Sequence, residues 1–325
     1  MDSPTLPPIE SPSVASPLPP PKPTRLQAWY KAARPRTLTA TYIPLLLAAV
    51  LAISEGVFDL FRFVLALIGA VSLQIGANLV NEYFDYVRGS DAEKEAGQGM
   101  IIRNKVLTPQ EVRTGATVSI VLGVLIGLIL VALTGPLLLG IGIGGVLVVI
   151  LYTAGPLPLA YIGLGELTVF IFMGPLMVEG AYYVMARRFE VEPLYIALPI
   201  AFLTAAIMHA NNVRDLEADR AANKRTLAVI FGRRTARIEY LILIGGAFFS
   251  LVALVAIDKM PWLTLLALVT LQEARILVSL TQKHEDVVTL HMVQGRTARL
   301  LRDFGSAIII GWLATLLLNA LLQVL

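Results

Sequence analysis

Apolar runs of about 20 residues recur along almost the whole of this 325-residue chain, and each is long enough to cross a bilayer. Lipid offers no partners to backbone N–H and C=O groups, so the spans must be helices or a closed barrel. The runs lack strict two-residue alternation, which excludes the barrel. A soluble fold would have to hide every run in one core. Charged residues make up only 15% of the chain, against roughly 25% in ordinary soluble domains. The sequence therefore predicts an all-α, polytopic membrane protein.

Residues 1–24 are rich in Pro and Ser and carry no apolar periodicity, so they read as a disordered tail. They lack a basic segment followed by an apolar core and are not a signal peptide. Residues 25–325 form the membrane domain. Nine spans are expected, near 38–54, 62–86, 110–134, 136–153, 164–187, 192–215, 236–256, 260–281 and 302–324. The N-terminal side then receives the tail and the loops 87–109, 154–163, 216–235 and 282–301. Of the 26 Lys and Arg residues, only Arg62, Arg187, Arg188 and Lys259 fall on the other side. By the positive-inside rule the N-terminal side is cytoplasmic. The predicted setting is the cell membrane of a prokaryote.

Several chemistries are excluded at once. With no cysteine there is no disulfide, thiolate metal site or thiol nucleophile. His209, His284 and His291 are too far apart in sequence for a local metal motif. A net charge of +3 does not imply a nucleic-acid partner, and no obligatory protein partner is evident.

Two polar motifs interrupt the apolar pattern. The first, NLVNEYFDYVRGSD (78–91), closes the second span. Asn78, Asn81 and Asp85 share a helix face, and Asp91 follows in the loop. Taken alone, it reads equally as helix-end packing, with Asp85 paired to Arg88. The second, NNVRDLEADRAANKRT (211–226), closes the sixth span. Asp215 and Asp219 stand four residues apart, where like charges repel on a helix. Arg214 and Arg220 could neutralise them; so could a divalent cation. Both motifs fall on the same membrane side, and each leads into a basic loop. Carboxylates and Asn carbonyls are hard oxygen ligands suited to Mg2+, which completes its shell with water and substrate phosphate. Lys224 and Arg225 could reach phosphate oxygens. Metal ligands and cations at the rim of an apolar bundle predict an amphiphilic substrate with a diphosphate head and a lipid tail.

The other polar positions are less telling. Tyr152 ends the fourth span, and Gly155, Pro156 and Pro158 break the helix after it. Residue types alone make this a tight turn, with Glu166 favouring the next helix start. His209 is expected to pack or bond across helices rather than ligate a metal, and Glu179 lies in mid-span.

Taken together, the segments AARPRTL (32–38), NLVNEYFDYVRGSD, YTAGPLPLAYIGLGE (152–166) and NNVRDLEADRAANKRTLAV resemble the UbiA superfamily of intramembrane prenyltransferases. Within it they look most like the branch that prenylates 1,4-dihydroxy-2-naphthoate in menaquinone synthesis. The resemblance implies nine helices around a central cavity, capped by the loops after the second and sixth. It implies Mg2+ held by Asn81, Asp85, Asp91, Asp215 and Asp219 against a polyprenyl diphosphate. Asp85, Asp215 and Tyr152 then match catalytic positions, and Asn78, Asn81, Lys224 and Arg225 match substrate-binding ones. Glu82 stands where Asp commonly follows Asn. Leu157 stands where many relatives carry Lys, so a phosphate contact from that loop is either lost or supplied by Arg103 or Lys105.

The implied reaction is Mg2+-dependent transfer of a polyprenyl group to an aromatic acceptor within the lipid bilayer, giving demethylmenaquinone. Other acceptors in the same chemistry are 4-hydroxybenzoate, a chlorophyllide, haem and a glyceryl lipid. A different class, a cation-coupled transporter, would predict a midplane site with alternating access. Two motifs on one side fit a one-sided site better.

Overall fold

The structure is a computed structural model and describes residues 23–89, 100–155 and 158–324. Regular elements among these are helical. A short entry helix α1 (Arg25–Ala32) leads into α2 (Thr39–Ser54), α3 (Leu60–Val87), α4 (Pro109–Thr134) and α5 (Leu137–Leu151). Then follow α6 (Gly165–Phe172), α7 (Pro175–Ala186), α8 (Glu192–Ile196), α9 (Leu198–Arg214) and α10 (Leu216–Ala221). The chain ends with α11 (Leu227–Ala256), α12 (Leu271–Lys283) and α13 (Val287–Val324). A 3₁₀ segment, Trp262–Thr270, runs directly into α12.

Among the described residues, seven helical runs are long and apolar enough to cross a membrane. The helix α5 is apolar but only 15 residues long. The expected span 192–215 is divided into α8 and α9. The chain is a multi-pass membrane protein, and its surface shows why. Val118, Val121, Leu125 and Leu128 on α4 point outward, as do Phe249 on α11 and Leu317 and Leu321 on α13. Most buried charged and amide side chains, Glu179 apart, gather instead at one end of the bundle: Asn78, Glu82, Asp85, His209, Asn212, Arg214, Asp215, Lys224 and Gln294.

Local chemistry sets the helix boundaries. Asp59 accepts the Arg62 N–H at 2.9 Å and caps α3. Thr108 and Glu111 form a capping box ahead of α4, with Pro109 in its first turn. A break at Gly174–Pro175 separates α6 from α7, and a Cβ at Gly174 would collide with Ala201 of α9. The missing side chain lets the two helices touch.

Cross-links at the ends confirm how the loops group. Arg188 meets Glu55 at 2.6 Å at one end. At the other, Arg88 donates to the Gly155 carbonyl at 2.8 Å, and the Arg225 N–H donates to the Tyr161 carbonyl at 3.1 Å.

The largest departure from expectation lies in two loops. The expected 282–301 loop is mostly helix, because α13 begins at Val287. Leu290, Val293, Thr297, Leu300 and Phe304 are buried along one face at helical spacing. Polar residues between them, such as Arg296 and Arg299, lowered the local hydropathy enough to look like a loop. Likewise α11 begins at Leu227 and bends at Gly232, whose φ of 79° is open to glycine.

Candidate active site

The second motif owes its shape to a helix break. Asp215 ends α9 and starts α10, with φ −90° and ψ 10°, so Asp215 and Asp219 are not stacked on one continuous helix as expected. Each has a cation of its own. Arg214 grips Asp215 through Nε to Oδ1 and Nη2 to Oδ2, both at 2.6 Å. The Lys224 ammonium lies 3.3 Å from Asp219 and 5.6 Å above the Tyr161 ring. Arg220, the other expected partner, pairs with Glu217 at the surface instead.

Helix α13 holds Arg214 in place. The Nη1 group donates to Gln294 Oε1 and lies 3.1 Å from His291 Nδ1. Asn211 Oδ1 accepts from Arg214 Nη2 at 2.8 Å and from Gln294 Nε2 at 2.9 Å. A buried guanidinium needs such partners, since orphaned charged donors are costly.

The first motif faces the second across a cavity of about 200 Å³. Asn78, Asn81 and Asp85 line it from α3, Tyr152 from the end of α5, and Asn211, Asn212, Arg214, Asp215 and Lys224 from the opposite wall. Asn78 is partly committed to structure: its Nδ2 donates to the Ala33 carbonyl at 2.8 Å and to Thr37 Oγ1 at 3.1 Å. It thereby pins the AARPRTL segment to α3. The Tyr152 hydroxyl is buried without a hydrogen bond among the described residues. A larger apolar cavity of about 440 Å³ adjoins the first. The two share Gln74, Val148, Val149, Phe172 and Met173 as walls.

Other expected residues lie elsewhere. Asp219 is fully buried behind Lys224 and is not among the residues lining the cavity. Arg225, Arg103 and Lys105 are exposed and do not line it either. Asp91 and Leu157 lie outside the described residues.

Two participants, Arg34 and Gln294, escaped the sequence reading, and Glu82 proves to have a structural place. Arg34 lines the cavity in a left-handed conformation (φ 52°), and its Nε is buried without a hydrogen bond among the described residues. Its signal was the Arg-Pro step that starts a 3₁₀ turn. Glu82 turns away from the cavity. Its carboxylate accepts the N–H groups of Met100, Ile101 and Ile102 at 3.0, 2.5 and 3.3 Å, and Arg34 lies 3.6 Å away. Gln294 was hidden in the presumed loop.

The donor set suits a hard divalent cation. Asn81, Asp85 and Asp215 line one polar cavity together with the cations Arg34, Arg214 and Lys224. A polar rim opening into an apolar chamber fits a molecule with a charged head and a hydrocarbon tail.

Comparison with known proteins agrees. Residues 41–293 match the UbiA prenyltransferase family. The chain belongs to this family. It is 34% identical to the 1,4-dihydroxy-2-naphthoate octaprenyltransferase of Bacillus subtilis, over 73% of this chain and 76% of that one. It is 36% identical to the enzyme of the same description from Mycobacterium tuberculosis, over 72% and 79%. A UbiA prenyltransferase domain-containing protein 1 homolog of Drosophila melanogaster is 32% identical over 86% and 78%. As a UbiA-family member the chain is a prenyltransferase. Solved structures share the fold. A UbiA homolog from Archaeoglobus fulgidus bound to GPP and Mg2+ superposes with a TM-score of 0.60 at 16% identity, over 87% of this chain and 99% of that one. An apo UbiA homolog from Aeropyrum pernix gives 0.64 at 13% identity, over 84% and 97%.

Proposed function

We propose that this prenyltransferase moves a polyprenyl group from its allylic diphosphate to 1,4-dihydroxy-2-naphthoate, with Mg2+ as cofactor. The site then faces the cytoplasm from the cell membrane. The observation that carries this reading is the paired cavity: a carboxylate, Asn and cation chamber that shares a wall with an apolar one. The names of the Bacillus and Mycobacterium relatives support the acceptor.

Asp85, Asp215 and Asn81 would hold the Mg2+. The bound ion would supply positive charge that stabilises the departing diphosphate. Lys224 and Arg34 line the same chamber and can bind diphosphate oxygens directly. As the allylic C–O bond breaks, its electron pair leaves with the diphosphate. The Tyr152 ring borders the place where the allylic cation forms, and an aromatic face stabilises such a charge. Val148, Val149 and Phe172 shield that place from water. The ring carbon that carries the carboxylate forms the new C–C bond. Loss of CO2 then returns an electron pair to the ring.

The test uses purified protein with Mg2+, octaprenyl diphosphate and 1,4-dihydroxy-2-naphthoate. Diphosphate release and a prenylated naphthalene product are expected, and chelation of the metal should stop both. Transfer to 4-hydroxybenzoate in preference to the naphthoate would overturn the acceptor.

A further inference from the structure

Behind the cavity wall lies a buried polar cluster that the reaction does not use directly. His209 on α9 puts Nδ1 3.0 Å from Glu166 Oε1, and Nε2 2.7 Å from the Ala236 carbonyl of α11. Glu239 lies 3.7 Å from the same Nδ1. His209 is fully buried and Glu166 is 5% exposed. With an acceptor at each ring nitrogen, the imidazole cannot turn. It fixes the Glu166 carboxylate, which in turn takes the Asn212 Nδ2 at 2.8 Å.

That last contact has a directional consequence. A carboxylate accepts, so it must face the NH2 end of the Asn212 amide. The amide is planar, and its carbonyl oxygen is turned the other way. Asn212 lines the polar cavity, and Oδ1 makes no hydrogen bond among the described residues. Asn212 is therefore locked as an acceptor and cannot flip to offer donors. Tyr152 sits beside the same cluster, since a Cβ at Gly165 would come 3.1 Å from its hydroxyl.

We propose that Glu166 and His209 are positioning residues that present Asn212 Oδ1 to the cavity, where it accepts a hydrogen bond from a ring hydroxyl of the aromatic acceptor. This rests on the prenyl-transfer reading above and names how the acceptor is recognised. A site built around such a bond discriminates against a ligand that lacks the hydroxyl, because the buried oxygen is left unpaired.

The test titrates 1,4-dihydroxy-2-naphthoate and its dimethyl ether by calorimetry, in wild type, Asn212→Leu, Glu166→Leu and Glu166→Gln. A non-hydrolysable prenyl thiolodiphosphate with Mg2+ reports separately on the donor half of the site. Wild type should prefer the dihydroxy compound by at least about tenfold. Asn212→Leu and Glu166→Leu should lose that preference and keep thiolodiphosphate affinity. Glu166→Gln retains an acceptor oxygen and should restore the preference. Its retention in Asn212→Leu overturns the proposal even where Glu166→Leu fails to fold, and so does a wild type without it. A wild type that binds thiolodiphosphate but neither naphthalene overturns the acceptor assignment instead. The same comparison with 4-hydroxybenzoate and 4-methoxybenzoate then decides the role of Asn212.

Discussion

Arg214 and Asp215 are neighbours in sequence and lock together through two 2.6 Å hydrogen bonds, just where α9 ends. Adjacent residues on a continuous helix point about 100° apart, and the break at Asp215 lets both reach the same wall. Arg214 thus neutralises the carboxylate that the proposed Mg2+ needs, so the two cations act on one acid.

Replacing Asp215 by Asn should remove that charge while keeping the shape. Turnover should fall roughly 100- to 1000-fold, the scale seen when one transition-state electrostatic contact is lost. Mg2+ should no longer raise the melting temperature of the purified protein. Near wild-type turnover in Asp215→Asn, or in Asp85→Asn, would remove these residues from the metal site.

Gln294→Leu should act through Arg214. The guanidinium loses a buried acceptor, at a cost of about 1–3 kcal/mol. Denaturant titration in detergent measures that loss directly. Turnover should also drop, because Asp215 is then held less firmly.

Lys224 and Arg225 should separate cleanly. Lys224 lines the cavity, whereas Arg225 is exposed. Lys224→Met should raise KM for the prenyl diphosphate about tenfold or more, the loss of one charge-assisted contact. Arg225→Ala should leave KM nearly unchanged. Steady-state kinetics at saturating acceptor distinguishes the two.

Gly311→Ala should destabilise the fold without touching the chemistry. A Cβ there would run into the Leu263 carbonyl, which is backbone and has little room to retreat. Overpacking of this kind costs about 1–3 kcal/mol. A lowered melting temperature with unchanged KM values is the expected result.

Asp286 gives a pH dependence of defined sign. It accepts the Thr289 N–H at 2.8 Å, which holds its carboxyl below the usual value near 3.8. A lowered folded pKa stabilises the protein above the unfolded value, and that contribution fades as pH falls through the folded one. Asp286→Asn keeps an acceptor but loses the charge. Wild type should therefore be the more stable above about pH 4, and the two should converge below that. Melting curves against pH would show it, and a constant gap would contradict it.

Much of this was legible in the chain. Long apolar runs gave the class, and the Lys and Arg distribution grouped the loops correctly. The motif spacing placed Asn78, Asn81, Asp85 and Asp215 around one cavity. What stayed hidden depended on direction rather than composition. Glu82 sits one residue from Asn81, yet it faces the backbone of residues 100–102. Asp219 follows Asp215 by four residues, but the break at Asp215 sends it into the interior. Gln294 lay in a stretch whose charges masked a helix. His209 was expected either to pack or to bond across helices; it bonds, but nothing in sequence joined it to Glu166, 43 residues away.

The length of α13 has a further meaning. Its 38 residues span about 57 Å at 1.5 Å per residue, while the hydrocarbon layer is only about 30 Å thick. With Val324 at the far edge of that layer, the helix leaves it about 20 residues earlier. Gln294, about ten residues further along, then stands about 15 Å beyond the hydrocarbon edge measured along the helix axis, on the polar side of the membrane. The polar cavity that Gln294 lines therefore grips phosphates outside the hydrocarbon, while the adjoining apolar chamber takes the tail, so a lipid substrate can be held head-outward without exposing its tail to water.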